Sequence, residues 1–187
     1  MEPKKVSVIE ICPSTNVRST QGDRWLFSVS DEYLEEYDKR KIYDDGKLGR
    51  NSARKRQLEK YNAFKEEVRH LAQKQGFTMP NGFFAIWFYV PHPKSWRKAK
   101  IKENLYKEHQ STPDWDNYAK AFFDALMPRK AKSKGEKGPD DRRIHCGAIF
   151  KVWVLPHEAC IKVLEYEENE FMDTFKHGHP SYAPVSS

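Results

Sequence analysis

The apolar run at residues 82–90 decides more about the fold than any other part of the chain. It is uninterrupted, rich in aromatic and β-branched side chains, and bounded by prolines at positions 80 and 91. A strand with one solvated face alternates polar and apolar residues, whereas a strand covered on both faces does not. The run therefore predicts a central strand that is buried on both sides.

A long amphipathic helix is predicted from Asn51 onward. Apolar residues recur there at steps of three and four as far as Ala72, and charged residues fill the opposite face. Asn51 or Ser52 is the expected N-cap, and Gly76 supplies the left-handed exit. We interpret this helix as scaffold.

Shorter patterns predict the remaining elements. Residues 5–12 and 25–29 are expected to form strands, and residues 31–41 a brief polar helix. Residues 144–155 and 159–166 are both strand-like and are separated by a Pro-His-Glu break. A short break between two such runs predicts an antiparallel hairpin.

The length predicts one domain. A chain of 187 residues can bury one core but is short for two. We expect the domain to span residues 1–166 and to contain a flexible basic loop at residues 128–139. Residues 167–187 lack periodicity and are expected to be a flexible C-terminal tail.

The charge balance is basic, with a formal net charge of +6, which suggests a polyanionic partner. Three cysteines without C-x-x-C spacing encode neither a disulfide framework nor a zinc ribbon. The first residues contain no apolar stretch typical of a signal peptide, and the run at 82–90 is too short to cross a bilayer. We therefore expect a cytoplasmic protein with no membrane partner.

Two acidic pairs are the candidate chemistry. One precedes a helix and the other follows the basic loop: Asp114 and Asp116, and Asp140 and Asp141. Pro113 favours extended backbone, on which side chains two residues apart project to the same side, so Asp114 and Asp116 are expected to converge. Gathered carboxylates repel one another unless cations lie among them, and oxygen ligands suit Mg²⁺. The pairs predict one Mg²⁺ site, which Mn²⁺ can also occupy.

The helix after the first acidic pair is expected to end at Leu126 or Met127. Asp116 is the predicted N-cap of this helix, and Asp124 is expected to face solvent. Lys120 lies one turn into the helix, where its ammonium can neutralise a phosphate in a transition state. The alternative is a surface ion-pair partner.

Basic side chains flank the acidic pairs along the chain. Such runs are typical of solvated faces, but their position beside the carboxylates also favours phosphate contacts. The predicted contacts with nucleic-acid phosphates are Lys94, Arg97, Lys98, Lys100, Arg129, Lys130, Lys132, Lys134, Arg142 and Arg143.

Each pattern alone also has a purely structural explanation. An Asp-x-Asp before a helix is commonly a cap and turn, and two aspartates after Gly-Pro form an ordinary turn sequence. Three tryptophans, Trp87, Trp96 and Trp153, are expected in the core rather than as platforms for base stacking.

The ordered combination is more specific than its parts. It comprises Pro93-Lys94-Ser95-Trp96 and the basic run, Pro113-Asp114-Trp115-Asp116-Asn117 with Lys120 and Asp124, Asp140-Asp141 with Ile144, and Lys151 with Trp153. Over roughly residues 82–155 the chain resembles the RusA family of Holliday junction resolvases, which is common in phages and prophages.

The resemblance implies an α+β fold with a mixed β-sheet packed with two main helices, in a homodimer. It also implies Mg²⁺-dependent, paired, symmetric nicking of four-way DNA junctions in recombination, repair or phage DNA processing, within a bacterial or phage-infected cell. Three aspartates and a lysine form the family's catalytic set. Transferred by motif, the set is Asp114, Asp116, Asp141 and Lys120, with Asp140 as the adjacent acidic position.

Two departures accompany the resemblance. The loop at residues 128–139 replaces a short turn, and residues 13–50 match the family poorly. Two hypotheses follow: a structure-selective endonuclease, or a catalytically inactive basic DNA-binding or phage-assembly protein on the same fold. The complete catalytic set favours the nuclease.

Overall fold

The computed structural model describes residues 2–15, 21–40, 51–80, 82–127 and 146–176. Within these ranges, four strands and five α-helices make up an α+β fold. They are β1 (Lys5–Ile9), α1 (Asp31–Arg40), α2 (Asn51–Lys74), β2 (Phe83–Pro91), α3 (Lys98–Asn104), α4 (Trp115–Leu126), β3 (Cys146–Val154), β4 (Cys160–Tyr166) and α5 (Glu168–Lys176).

The four strands form one mixed sheet in the order β1-β4-β2-β3. Strand β2 runs parallel to β3 and antiparallel to β4, and β4 pairs antiparallel with β1. The side chains of β2 are buried from Phe84 to Val90. The predicted central strand and the mixed sheet are therefore confirmed.

The predicted hairpin of β3 and β4 is wrong, because β2 lies between them. The two strands are joined by a 3-10 helix, Pro156–Glu158, that contacts β2 and carries the chain past it. A short break between two strand-like runs does not show whether a third strand separates them. Here the parallel pairing of β2 with β3 is reached through the long connection that contains α3 and α4.

Helices α2 and α4 cover one face of the sheet. Val68 and Phe64 of α2 and Phe122 of α4 are buried against the inward side chains of β2, which include Phe84 and Phe88. On the opposite face, the buried Phe171 of α5 packs in a second apolar cluster with residues of β2, β3 and β4. The helices thus exclude water from both sides of β2.

Helix α2 begins at Asn51 as predicted, but its cap comes from elsewhere. The Asp38 carboxylate of α1 accepts hydrogen bonds from the backbone amides of Asn51 and Ser52, at 3.0 and 2.8 Å. These bonds lower the pKa of Asp38 despite its burial. At the other end, Gly76 has the predicted left-handed backbone, with φ of 60°.

The N-terminal part contains α1, as predicted, but no strand at residues 25–29. That segment belongs to a 3-10 helix, Gln21–Phe27. Leu26 is buried with Leu34 and Leu58 in a small cluster, while its neighbours Trp25 and Phe27 are exposed. A short run of apolar residues therefore produced a strand prediction where a tight helix buries one side chain.

Residues 168–176 differ from the predicted flexible tail because they form α5, whose Phe171 is only 5% exposed. Residues 177–187 and the predicted loop at 128–139 lie outside the described residues. No helix in the described ranges is both long and apolar enough to span a membrane.

Candidate active site

The first acidic pair lies at the start of α4. Asp114 is the N-cap residue, with extended backbone (φ −67°, ψ 157°), and Asp116 lies in the first helical turn. The extended conformation of Asp114 is as predicted. The predicted cap at Asp116 is wrong, and so is its extended backbone, because the cap is Asp114, two residues earlier, and the helix begins at Trp115.

Both carboxylates are available to a ligand. Asp114 and Asp116 are exposed, and the Asp114 side chain makes no capping hydrogen bond to its own helix. A free N-terminal turn also favours negative charge and anionic ligands through its unpaired amides. Lys120 is exposed one turn further along α4, in the i+4 position relative to Asp116.

Lys151 of β3 fixes the backbone that leads into α4. Its ammonium donates hydrogen bonds to the carbonyl oxygens of Ser111 and Pro113, each at 2.7 Å. Burial lowers the pKa of Lys151, whereas the negative charges of Asp114 and Asp116 oppose that shift. Lys151 therefore carries its positive charge near the acidic pair, and its ammonium holds the backbone that leads into α4.

Lys151 is a functional candidate to which the sequence analysis gave no role. The sequence contained one indication of its importance, a lysine at the centre of an apolar strand. A lysine in such a place is rarely buried without a partner. The carbonyl partners could not be inferred from sequence, since Ser111 and Pro113 lie about forty residues away.

Helix α4 is held against α2 by its buried face and by two polar contacts. Phe122 is fully buried, and Arg69 of α2 donates to the carbonyl oxygen of Ala125 at 2.8 Å. Asp124 is exposed, as predicted, yet it also accepts a hydrogen bond from Tyr61 at 3.1 Å. Asp124 thus has a structural role at the α2–α4 contact, one turn or more from the acidic pair.

The chain between α3 and α4 runs along the outer edge of β3. The amide of Tyr106 donates to Trp153, and the amide of His109 donates to Lys151, at 2.8 and 3.0 Å. The His109 ring is 2% exposed and stacks on Trp153 with ring centroids 3.7 Å apart. These contacts fix the approach to Asp114 from the β3 side.

The described basic candidates lie around the start of α3. Lys94, Arg97, Lys98 and Lys100 are all exposed. The Lys100 ammonium lies 4.8 Å from the centre of the Trp96 ring. The other predicted DNA contacts lie outside the described residues, namely Arg129, Lys130, Lys132, Lys134, Arg142 and Arg143.

The described residues supply two ligands of the predicted metal site. No group of three or more histidine, cysteine, aspartate or glutamate side chains suited to a metal occurs among them. Asp140 and Asp141 lie outside the ranges that the structure describes. The exposed oxygens of Asp114 and Asp116 fit a hard cation such as Mg²⁺, which commonly binds one or two carboxylates and keeps several waters.

Comparison with known proteins identified one family. The sequence model of the family described as Endodeoxyribonuclease RusA matches residues 45–161. The matched part includes α2, β2, α3, α4 and β3, and therefore contains both acidic pairs and Lys151. No curated protein and no solved structure matches the chain.

Proposed function

The chain belongs to the RusA family of endodeoxyribonucleases, and on this basis we propose that it resolves four-way DNA junctions by paired, symmetric, Mg²⁺-dependent nicks. The family assignment makes the protein a phosphodiester hydrolase that acts on Holliday junctions. The observation that carries the finer proposal is the exposed pair Asp114 and Asp116 at the start of α4, next to backbone that the Lys151 ammonium holds.

In the proposed site, Asp114, Asp116 and Asp141 hold the metal, and Asp140 contributes from the adjacent position. Bound Mg²⁺, or Mn²⁺ in its place, would polarise the scissile phosphate and lower the pKa of a bound water. The carboxylates at the start of α4 suit this role because they are exposed to an incoming phosphate. Asp140 and Asp141 are assigned from the sequence motif.

Two lysines have different parts in the proposal. Lys120 lies on the same side of α4 as Asp116 and is exposed, so its ammonium can reach a scissile phosphate placed near the carboxylates. It would stabilise the negative charge that develops on the phosphoryl oxygens. Lys151 is a positioning residue, because its ammonium donates two hydrogen bonds to the backbone carbonyls before Asp114.

DNA is the proposed partner, held through its phosphates. The exposed cations around α3, with those of the loop at 128–139 and with Arg142 and Arg143, would neutralise phosphates and so give binding that weakens as salt rises. Phosphate contacts set the register of the duplex but carry no base sequence.

A homodimer is part of the proposal. Two equivalent sites on opposed strands explain paired nicks better than one site that must dissociate and rebind. We place the activity in DNA recombination, repair or phage DNA processing, in the cytoplasm of a bacterial or phage-infected cell.

The decisive experiment incubates the protein with synthetic four-way junctions and with linear duplex of the same sequence, with Mg²⁺ or with EDTA. Wild type is expected to make paired incisions in junction strands only when Mg²⁺ is present. Asp116→Asn is expected to bind junctions and to lose cutting by at least about a thousandfold, because it removes one ligand charge.

Two outcomes would contradict the proposal. Equal cutting of linear duplex would reject junction selectivity. A wild-type protein that binds junctions and never cuts them would instead support the alternative, an inactive DNA-binding or phage-assembly protein on this fold.

A further inference from the structure

A groove of about 540 Å³ lies between α3, the chain that follows it, and β3. Its walls include Trp96, Trp153, Lys100, Glu108 and Ser111. This volume is within the range of roughly 300–1,000 Å³ typical of small-ligand pockets, so it has room for a nucleobase with its sugar. Of the proposed metal and phosphate contacts in the described part of the chain, Lys100 alone is among its lining residues.

The groove adjoins the segment that leads to the acidic pair. Ser111 lines it, and the carbonyl oxygen of Ser111 accepts one of the two hydrogen bonds from Lys151. The other goes to Pro113, immediately before Asp114. A strand whose phosphate lies at the carboxylates therefore has its neighbouring nucleotide within reach of the groove.

One wall of the groove is fixed before any ligand arrives. The amide of Tyr106 donates to Trp153 at 2.8 Å, and the amide of Trp153 donates to Lys107 at 3.1 Å. Tyr106 adopts a left-handed backbone with φ of 60°, a rare conformation for an aromatic residue that its surroundings must hold. Its hydroxyl donates to Glu158 at 2.8 Å.

Beside Trp153, the groove has a second, half-buried aromatic side chain whose contacts can change. Trp96 packs against Trp153 with ring centroids 4.8 Å apart, and the exposed Lys100 ammonium covers its ring. A lysine chain is long and flexible, so the ammonium can leave the ring for a phosphate when a flat ligand enters. An aromatic face beside a mobile cation is the usual arrangement for binding a base and its backbone together.

The side chains of Glu108 and Gln110 indicate which part of a nucleotide the groove can bind. Glu108 lines the groove, and Gln110 donates to its carboxylate at 3.4 Å. A carboxylate repels a phosphate, whereas it accepts hydrogen bonds from the exocyclic amino group of a base. Trp96, Glu108 and Gln110 therefore offer contacts that suit an unstacked base, and the two lysines of the lining, Lys100 and Lys107, suit its flanking phosphates.

We propose that this groove binds the base of a nucleotide next to the cleaved phosphate, unstacked at the branch point, and prefers a base with an exocyclic amino group. Trp96 stacks on the base, Glu108 accepts from its amino group, and Lys100 moves to the flanking phosphate. The proposal rests on the junction-cutting function above, and it names a determinant of where the cut is made. Branch points favour it because bases there are already weakly stacked.

The test is a thermodynamic cycle measured by fluorescence anisotropy in EDTA. It uses wild type and Trp96→Ala with intact junctions, and with junctions that lack one base at a time near the branch. At one position per cut strand, loss of the base is expected to weaken wild-type binding about tenfold, the usual effect of one stacking contact. Trp96→Ala should bind the intact junction about as weakly as wild type binds the junction that lacks this base. Removal of the same base should not weaken the binding of Trp96→Ala any further.

Two variants control for misfolding and for a loss of junction affinity that does not depend on the base. Trp96→Phe keeps a stacking face and is expected to keep the coupling to the same base. Trp25→Ala removes an exposed tryptophan on the 3-10 helix Gln21–Phe27, which packs against Tyr37, and should show no coupling at any position. Unfolding midpoints of all variants are measured in parallel.

The base preference is tested with the four bases at the coupled position. Wild type is expected to bind thymine, which has no exocyclic amino group, least tightly. Glu108→Ala should give equal affinities for the four bases. If wild type shows no preference among the bases, Glu108 has no role in base selection.

The groove proposal alone would be overturned if the losses of affinity from base removal and from Trp96→Ala were additive at every position while Mg²⁺-dependent junction cutting was observed. Neither binding nor cutting of junctions would overturn both.

Discussion

Removal of the Lys151 ammonium would test how much the positioning of Asp114 and Asp116 contributes to activity, because both carboxylates keep their charge. Lys151→Met keeps the length of the side chain but loses both hydrogen bonds to the carbonyls before Asp114. We expect the turnover rate at saturating junction to fall about 10- to 100-fold, because small displacements of catalytic groups have effects of that size. Junction affinity should change much less, since the cations around α3 remain.

The matched control is Lys162→Met on β4, which β2 separates from β3 and where the lysine is also half-buried. It should leave the turnover rate close to wild type. An equal loss in the two variants, or a loss confined to affinity, would show that Lys151 does not position the site.

His109 is predicted to make stability depend on pH. Burial, and next the nearby Lys151 ammonium, lower its pKa to about 4 from 6.5. Between these values the unfolded chain binds a proton that the folded protein excludes, so the free energy of unfolding falls as pH falls from about 6.5 to about 4. From pH 7 to pH 5 the loss should be about 2 kcal/mol, estimated from the shift in pKa.

Urea unfolding at the two pH values measures this effect. His109→Phe preserves an aromatic ring against Trp153 and removes the titrating group, so it should flatten the pH dependence by that amount. His70→Gln, at an exposed position on α2, is the control and should leave the dependence as in wild type. An unchanged slope in His109→Phe would contradict the prediction.

Residue-level reasoning from sequence succeeded where the cause is local. Pro113 and the following polar residues predicted extended backbone at Asp114, which the structure shows. The same reasoning failed for Asp116 because the start of a helix can move by one or two residues without changing the pattern, and here it lies two residues earlier. It could not identify the partners of Lys151, which tertiary packing brings together from a distant part of the chain.

At the scale of elements, the contact between β2 and β3 leaves no room for a side chain at Gly147. A Cβ atom there would lie 2.8 Å from the ring of Phe84, which is 1% exposed. Gly147→Ala is therefore expected to lower the free energy of unfolding by about 1–3 kcal/mol, the typical effect of overpacking a core.

Gly82→Ala is the matched control, because a Cβ atom at Gly82 would meet no atom within 4 Å. Its effect on urea unfolding should stay within about 0.5 kcal/mol. Equal destabilisation by the two substitutions would mean that the Phe84 ring moves aside and that the close approach is not tightly packed.

The elements with strong periodicity were predictable and their arrangement was not. Helix α2 and strand β2 follow from local patterns of apolar residues. The order β1-β4-β2-β3 depends on which strands pair across the sheet, and no local pattern records that β2 lies between β3 and β4. The cap of α2 was missed for the same reason, because Asp38 belongs to another helix.

At the scale of the whole molecule, paired nicks require two active centres on one junction. The proposed homodimer can be tested with mixed dimers of wild type and Asp116→Asn, made by coexpression with two different tags and purified through both. The substrate is a supercoiled plasmid that extrudes a cruciform. Wild type is expected to produce mostly linear plasmid, because both strands are cut before the dimer leaves.

The mixed dimer should instead produce nicked circles, since one of its centres lacks the Asp116 carboxylate. Gel analysis of the early time course distinguishes the two products, and Asp116→Asn alone should leave the plasmid supercoiled. If the chain acts as a monomer, no doubly tagged species is recovered and wild type releases nicked circles before linear product appears. That result would contradict the homodimer and leave the proposed chemistry at Asp114 and Asp116 intact, because both carboxylates lie at the start of one helix.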